Sequence, residues 1–114
     1  MSKDMQSIED DVRATMSAHF AARIKGDARA VRDSYSEQWT DGKGFSKNLI
    51  QDSHLIFTEA ALQAGVDIDL DSAGIHAEGG VAVVGPVCIT TIKGSITHEY
   101  KLRKESDDVW RLLY

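Results

Sequence analysis

Residues 79–95 read GGVAVVGPVCITTIKGS, and this stretch decides the fold. A run rich in Val, Ile and Thr lies between two glycine-containing turns, which is typical of a long strand shared by two β-hairpins. Inside the run, Gly85-Pro86 predicts a bulge or an edge position, because proline cannot donate a hydrogen bond to a central ladder. A bulge in the longest strand would curve the sheet.

Further strands are expected on both sides of this stretch. Downstream, residues 96–104 and 109–114 form two more extended segments, separated by a Ser-Asp-Asp turn. Upstream, apolar residues alternate with aspartates over 66–70, and 75–77 resumes the extended pattern. Because short turns join most of these segments, the sheet is expected to be mostly antiparallel.

Three helices are expected before the sheet, over residues 7–26, 27–35 and 46–65. Each begins at a Ser or Asp that can cap a helix, and glycines stand at the ends of the first and third. Helices followed by strands, without alternation, predict an α+β layer in which the helices pack on one strongly curved sheet and enclose a pocket. The first helix carries an apolar residue at every fourth position: Ile8, Val12, Met16, Phe20 and Ile24.

Length and charge limit the classes of function. A chain of 114 residues forms one domain, over 1–114, with no room for a separate cofactor domain. The net charge of −5 argues against nucleic acid and anionic membranes as partners. Cys88 is the only cysteine, and no run is apolar enough for an export signal or a membrane span, so we expect a cytoplasmic protein.

The order and spacing of several segments resemble the NTF2-like superfamily, which includes SnoaL-like and ketosteroid-isomerase-like proteins. The resemblance covers nearly the whole chain. It implies a cone-shaped domain, a hydrophobic pocket between helices and sheet, and a homodimer formed through the sheet, but no single reaction. The segments that carry it are the amphipathic first helix, Gly26-Asp27 leading to Tyr35, Gly44, the strand over 81–85, and residues 100–105 and 110–112.

The isomerase members of this superfamily use a helix tyrosine, a base aspartate and a protonated aspartate. Aligned on Gly26-Asp27 and Tyr35, the helix tyrosine falls at His19 and the base near Lys43, with Asp41 the nearest carboxylate. The strand that should supply the second acid reads ITTI over 89–92 and contains none. The isomerase set is therefore not reproduced.

Candidate catalytic and binding residues come from the apolar faces that meet at the expected pocket. His54 lies between Ile50 and Phe57 on the inner face of the third helix, where burial would keep its imidazole neutral. The same pattern fits a histidine that only packs in the core, and Asp41 is the second candidate base. The expected pocket residues are His19, Tyr35, Trp39, Phe57, Thr90, His98 and Tyr100.

No metal or cofactor is expected. Acidic residues alternate over 67–71 and Glu78 follows, as in a calcium loop, but Ser72 stands where the sharp turn of that loop needs glycine. A strand with one wet face explains the pattern better. Metal-binding pairs of His or Cys and glycine-rich nucleotide motifs do not occur in the sequence.

We therefore expect a dimeric domain that binds a small, mostly apolar molecule in its cavity. Two alternatives stay open. One is an isomerase, cyclase, dehydratase or hydrolase that uses His54 or Asp41 as a general base. The other is a non-catalytic assembly or accessory module whose sheet surface does the work.

Overall fold

A computed structural model describes residues 5–40, 46–52, 55–57 and 65–113, and these form helices on a strongly curled antiparallel sheet. This architecture confirms the predicted α+β class. The described helices are α1 (Met5–Lys25) and α2 (Ala28–Asp33). The strands are β1 (Asp67–Asp69), β2 (Gly74–Glu78), β3 (Val81–Thr91), β4 (Gly94–Lys104) and β5 (Trp110–Leu112).

The buried face of α1 follows the predicted stripe and then leaves it. Val12, Met16 and Phe20 are buried, but Ile24 is 37% exposed. A spacing of four residues advances about 40° too far at each step of an α-helix, so a strict four-residue stripe rotates away from the core. At the last turns of α1, His19 is buried in its place.

The junction between the two helices is formed as the sequence predicts. Gly26 adopts φ +84°, the left-handed conformation that ends α1, and its backbone N–H donates to the Ala22 carbonyl. The Asp27 side chain then accepts a hydrogen bond of 3.1 Å from the backbone N–H of Ala30, capping α2.

The third predicted helix is wrong for the residues described between 46 and 57. Residues 46–52 and 55–57 form turns, and Leu49, expected on the inner face, is 67% exposed. The carbonyl oxygens of Lys47 and Ile50 accept hydrogen bonds from the Arg32 guanidinium. The rest of the predicted helix lies outside the described residues.

Strand β3 is the centre of the sheet. It pairs with β4 on one side, and on the other with β2 along its first half and with β1 along its second half. Strand β5 extends the sheet beyond β4. All of these pairings are antiparallel, as the hairpin turns in the sequence predict.

A bulge at Gly85-Pro86 changes which residues of β3 face the core. The pairing of β3 with β4 shifts register between Val84 and Val87. Before the bulge Ala82 and Val84 are buried, and after it Val87 and Ile89 are buried. Glycine is required here, because a Cβ at position 85 would lie 2.6 Å from Cγ of Glu99.

The core lies between the helices and the concave side of the sheet. Among the described residues, no helix is long and apolar enough to cross a bilayer. The fully buried side chains include Val12, Met16, Val31, Leu55, Ala82, Val84, Val87, Leu102 and Leu112.

Candidate functional site

A cavity of about 890 Å³ lies between the end of α1, the turns over 46–52 and 55–57, and the concave face of β3 and β4. Its volume is that of a site for a small organic molecule. The residues that line it are His19, Arg23, Tyr35, Trp39, Thr40, Ile50, Leu55, Phe57, Ile89, Thr91, Lys93, Gly94, Ser95, Ile96, His98, Glu99, Tyr100 and Leu112.

The cavity has a buried end and an exposed end. At the buried end, the side chains of His19, Tyr35, Leu55 and Leu112 are each at most 5% exposed. At the other end the wall is the β3–β4 hairpin, where residues 93–96 are exposed.

The hydrogen bonds around His19 define its tautomer. Nδ1 of His19 lies 2.8 Å from Oγ of Ser34, and that hydroxyl lies 2.5 Å from the Val31 carbonyl oxygen. Because a carbonyl only accepts, the Ser34 hydroxyl donates to Val31 and accepts from Nδ1–H of His19. Nε2 of His19 is therefore an unprotonated acceptor, and it is buried without a hydrogen-bond partner in the described part of the chain.

His19 is neutral across the physiological range. Burial, and secondly the positive charge of Arg23, lower the pKa of its imidazole from 6.5 to about 3. A base with so low a pKa is almost never protonated near neutral pH and takes up protons poorly. His19 also cannot activate Ser34 as a nucleophile, because it donates to the hydroxyl and does not accept from it.

Aromatic rings form much of the wall. The rings of Tyr35 and Trp39 are stacked at 4.4 Å, and those of His98 and Tyr100 meet edge to face at 4.5 Å. Burial raises the pKa of both tyrosines, although the Arg23 charge opposes this shift. Both hydroxyls therefore stay protonated and can donate hydrogen bonds.

Arg23 is the cation at the buried end. Its guanidinium carbon lies 5.0 Å from the centre of the Phe57 ring, and its charge opposes the rise in the pKa of Tyr35. Its Nε is buried without a hydrogen-bond partner among the described residues. The backbone N–H of Phe57 donates a hydrogen bond of 3.0 Å to the Arg23 carbonyl. This hydrogen bond holds residues 55–57 over the end of α1.

The cavity brings together most of the residues singled out from the sequence. Thr90 is not among the lining residues, and Thr91 is, because the bulge reverses the alternation of β3 after Gly85. Thr90 instead lies 2.8 Å from the Ser95 hydroxyl. Asp41 and His54 lie outside the described residues. The expected pocket residues in the wall are His19, Tyr35, Trp39, Phe57, His98 and Tyr100.

Arg23 is the residue that the sequence reasoning missed. It stands four positions after His19, so the two project from the same face of α1. Two features of the sequence could have indicated Arg23: its spacing from His19, and the rotation of the four-residue apolar stripe around α1. A search for apolar residues alone passes over an arginine whose stem is buried.

Asp69, one of the alternating acidic residues, stabilises the turn that follows β1. Oδ1 of Asp69 accepts a hydrogen bond of 3.1 Å from the backbone N–H of Ser72, and hydrogen bonds from Ser72 lower the pKa of its carboxyl. Within residues 5–40, 46–52, 55–57 and 65–113, no three His, Cys, Asp or Glu side chains are placed to share a metal ion.

Three solved structures are similar to this chain over most of their length. A candidate ketosteroid isomerase from Shewanella frigidimarina is 21% identical, with a TM-score of 0.63 over 88% of both chains. An NTF2-like protein with a cystatin-like fold from Novosphingobium aromaticivorans is 16% identical, with a TM-score of 0.60 over 99% of this chain and 88% of the other. A candidate dehydratase of the NTF2-like family from Streptomyces avermitilis is 11% identical, with a TM-score of 0.59 over 96% of this chain and 94% of the other.

Sequence comparisons add no assignment, since no protein-family model matches the chain and no curated protein matches it significantly. At these identities, the structural likeness establishes the fold and leaves the chemistry to be argued from the site. The resemblance inferred from the sequence is confirmed at that level: this chain has the NTF2-like cone fold.

Proposed function

We propose that the protein binds a small, mostly apolar molecule in the cavity between α1 and the sheet. The observation that carries the proposal is the wall itself, in which aromatic and aliphatic side chains surround a few polar groups at the buried end. This is the usual composition of a small-molecule site: apolar surface supplies affinity and a few polar groups fix orientation.

The protonation state of His19 favours binding over proton transfer. A general base works best with a pKa near the operating pH, and the pKa of His19 is about 3. An isomerase, cyclase, dehydratase or hydrolase would need another base, and the sequence candidates for it are Asp41 and His54, outside the described residues. Binding requires neither of them.

A cavity-blocking variant tests the proposal. Thr91 lies in the cavity wall, whereas His76, on strand β2, does not. We expect Thr91→Trp to fill the space and to weaken binding of 2-naphthoate and 2-naphthamide at least about tenfold, or by about 1.4 kcal/mol. Isothermal titration calorimetry measures the affinities.

The matched control is His76→Trp, which adds the same ring to an exposed position outside the cavity. It should bind both naphthalenes as the unchanged protein does. Equal affinities for the two variants, or no binding by the unchanged protein, would contradict the proposal.

We further propose that the protein functions as a homodimer assembled through its sheet. Ile92 and Ile96, near the β3–β4 turn, are 78% and 63% exposed. Strand β5 pairs only with residues 102–104 of β4, so in the described part of the chain 94–100 has no strand on that side. A second copy would cover this unpaired edge and the two exposed isoleucines, since an open strand edge is otherwise prone to unspecific pairing. Light scattering should give twice the chain mass for the unchanged protein. For the Ile92→Glu variant it should give the mass of a single chain. A single-chain mass for both proteins would contradict the proposed dimer.

A further inference from the structure

Among the described residues, the cavity wall holds a positive charge at Arg23 without a matching negative one. None of the ion pairs among these residues includes Arg23. The only acidic side chain in the described wall is Glu99, which is exposed. Arg23 is partly buried and its Nε is fully buried, and a cation partly withdrawn from water is stabilised by a counter-ion, so this site favours an anionic occupant.

Two contacts with Phe57 hold Arg23 in place. Its guanidinium carbon lies 5.0 Å from the centre of the Phe57 ring, and its backbone carbonyl accepts from the Phe57 N–H. The guanidinium is therefore oriented before a ligand arrives, and its Nε–H has no partner among the described residues. A pre-positioned guanidinium is well suited to a carboxylate, which it can bind through two parallel hydrogen bonds.

We infer that the ligand of the cavity is an amphipathic carboxylate, whose carboxylate group binds Arg23 at the buried end while its apolar body lies along Ile89, Leu55 and Trp39. This inference rests on the proposed function and names its ligand class.

Other groups in the wall are consistent with this orientation. Tyr35 and Tyr100 line the same cavity as Arg23, and their protonated hydroxyls are donors suited to carboxylate oxygens. Lys93 lies at the exposed end, where a second positive charge attracts an approaching anion. The unpartnered Nε2 of His19 is an acceptor, which a hydroxyl next to the carboxylate would satisfy.

The test compares two probes of nearly the same shape, 2-naphthoate and its uncharged analogue 2-naphthamide. A charged hydrogen bond in a buried site contributes about 1.5–3 kcal/mol, so the unchanged protein should bind 2-naphthoate about ten to a hundred times more tightly. Arg23→Met keeps the length of the stem and removes the charge. In this variant, the two affinities should become equal.

Two further variants keep the test decisive. Arg23→Lys retains the cation, and it should retain a preference for 2-naphthoate even if Arg23→Met fails to fold. Lys25→Met removes a positive charge from an exposed position in the same helix turn and should leave the preference unchanged.

Each outcome separates the inference from the proposed function. Equal binding of both probes by the unchanged protein, or a preference that survives in Arg23→Met, would overturn the carboxylate inference while cavity binding stands. Binding of neither probe would overturn both.

Discussion

His19 and Arg23 lie four residues apart on α1 and face the same cavity. The two are coupled in one direction, because the Arg23 charge helps to keep the His19 imidazole neutral. The hydrogen bond to Ser34 directs the proton of the imidazole to Nδ1 and leaves Nε2 as an acceptor. At the scale of single residues, the buried end of the cavity therefore offers one cation, one neutral acceptor and two tyrosine hydroxyls.

The depressed pKa of His19 makes the stability of the fold depend on pH. The pKa of this histidine is about 3 in the folded protein, and a histidine in an unfolded chain titrates near 6.5. The unfolded state thus binds more protons between these values, and stability falls as pH decreases through that window. The slope contributed by this residue is up to about 1.4 kcal/mol per pH unit.

Urea denaturation at several pH values between 7 and 4 measures this slope. His19→Asn keeps a donor to Ser34 and removes the titrating group, so its stability should depend less on pH than that of the unchanged protein. His76→Asn, at an exposed position of β2, is the control and should keep the full slope. The account of His19 fails if the slopes of the two variants are the same.

At the scale of elements, two features shape the cavity. The bulge in β3 directs Ile89 and Thr91, and not Thr90, towards the cavity. Arg32 of α2 binds the Lys47 and Ile50 carbonyls and lies 2.6 Å from the Asp52 carboxylate. These contacts hold the turn that contains Ile50, a residue of the cavity wall.

We expect Arg32→Met to destabilise the segment that contains Lys47 and Ile50 more than it destabilises the sheet. Losing hydrogen bonds from a partly buried guanidinium should lower the free energy of unfolding by about 1–3 kcal/mol. Limited proteolysis should cut the variant within 46–57, and its affinity for 2-naphthoate should fall. Arg29→Met, at an exposed position of the same helix, should show neither effect. If the Arg32 variant resists proteolysis as well as the Arg29 variant does, the Arg32 hydrogen bonds are not needed to hold this segment.

At the scale of the whole molecule, most of the fold could be predicted because its elements have local signals. The turn glycines at 79–80, the alternation over 66–70 and the cap at Asp27 depend on neighbouring residues in the chain, and the structure shows the turn, the strand and the cap. The prediction of a third helix was wrong for the described residues between 46 and 57. There the Ile50 carbonyl accepts a hydrogen bond from Arg32, a residue that is distant in sequence. A periodic pattern does not contain such a partner.

The site was less predictable than the fold, for the same reason. Which of Thr90 and Thr91 faces the cavity depends on how one bulge shifts the register, and the sequence shows only that a bulge is present. Arg23 becomes a site residue through its burial beneath Phe57, a contact between the end of α1 and a segment more than thirty residues later. Contacts between segments that are distant in sequence therefore determine both which threonine faces the cavity and whether Arg23 is part of the site.

The measurement that tests the central claim most directly is a titration of isotope-labelled protein with 2-naphthoate, followed by NMR. The account predicts saturable shifts for the amides and methyl groups of cavity residues, above all Leu55, Ile89 and Leu112, with strand β2 unchanged. The absence of saturable shifts, or shifts centred on the exposed turn at Ile92, would contradict binding in the cavity.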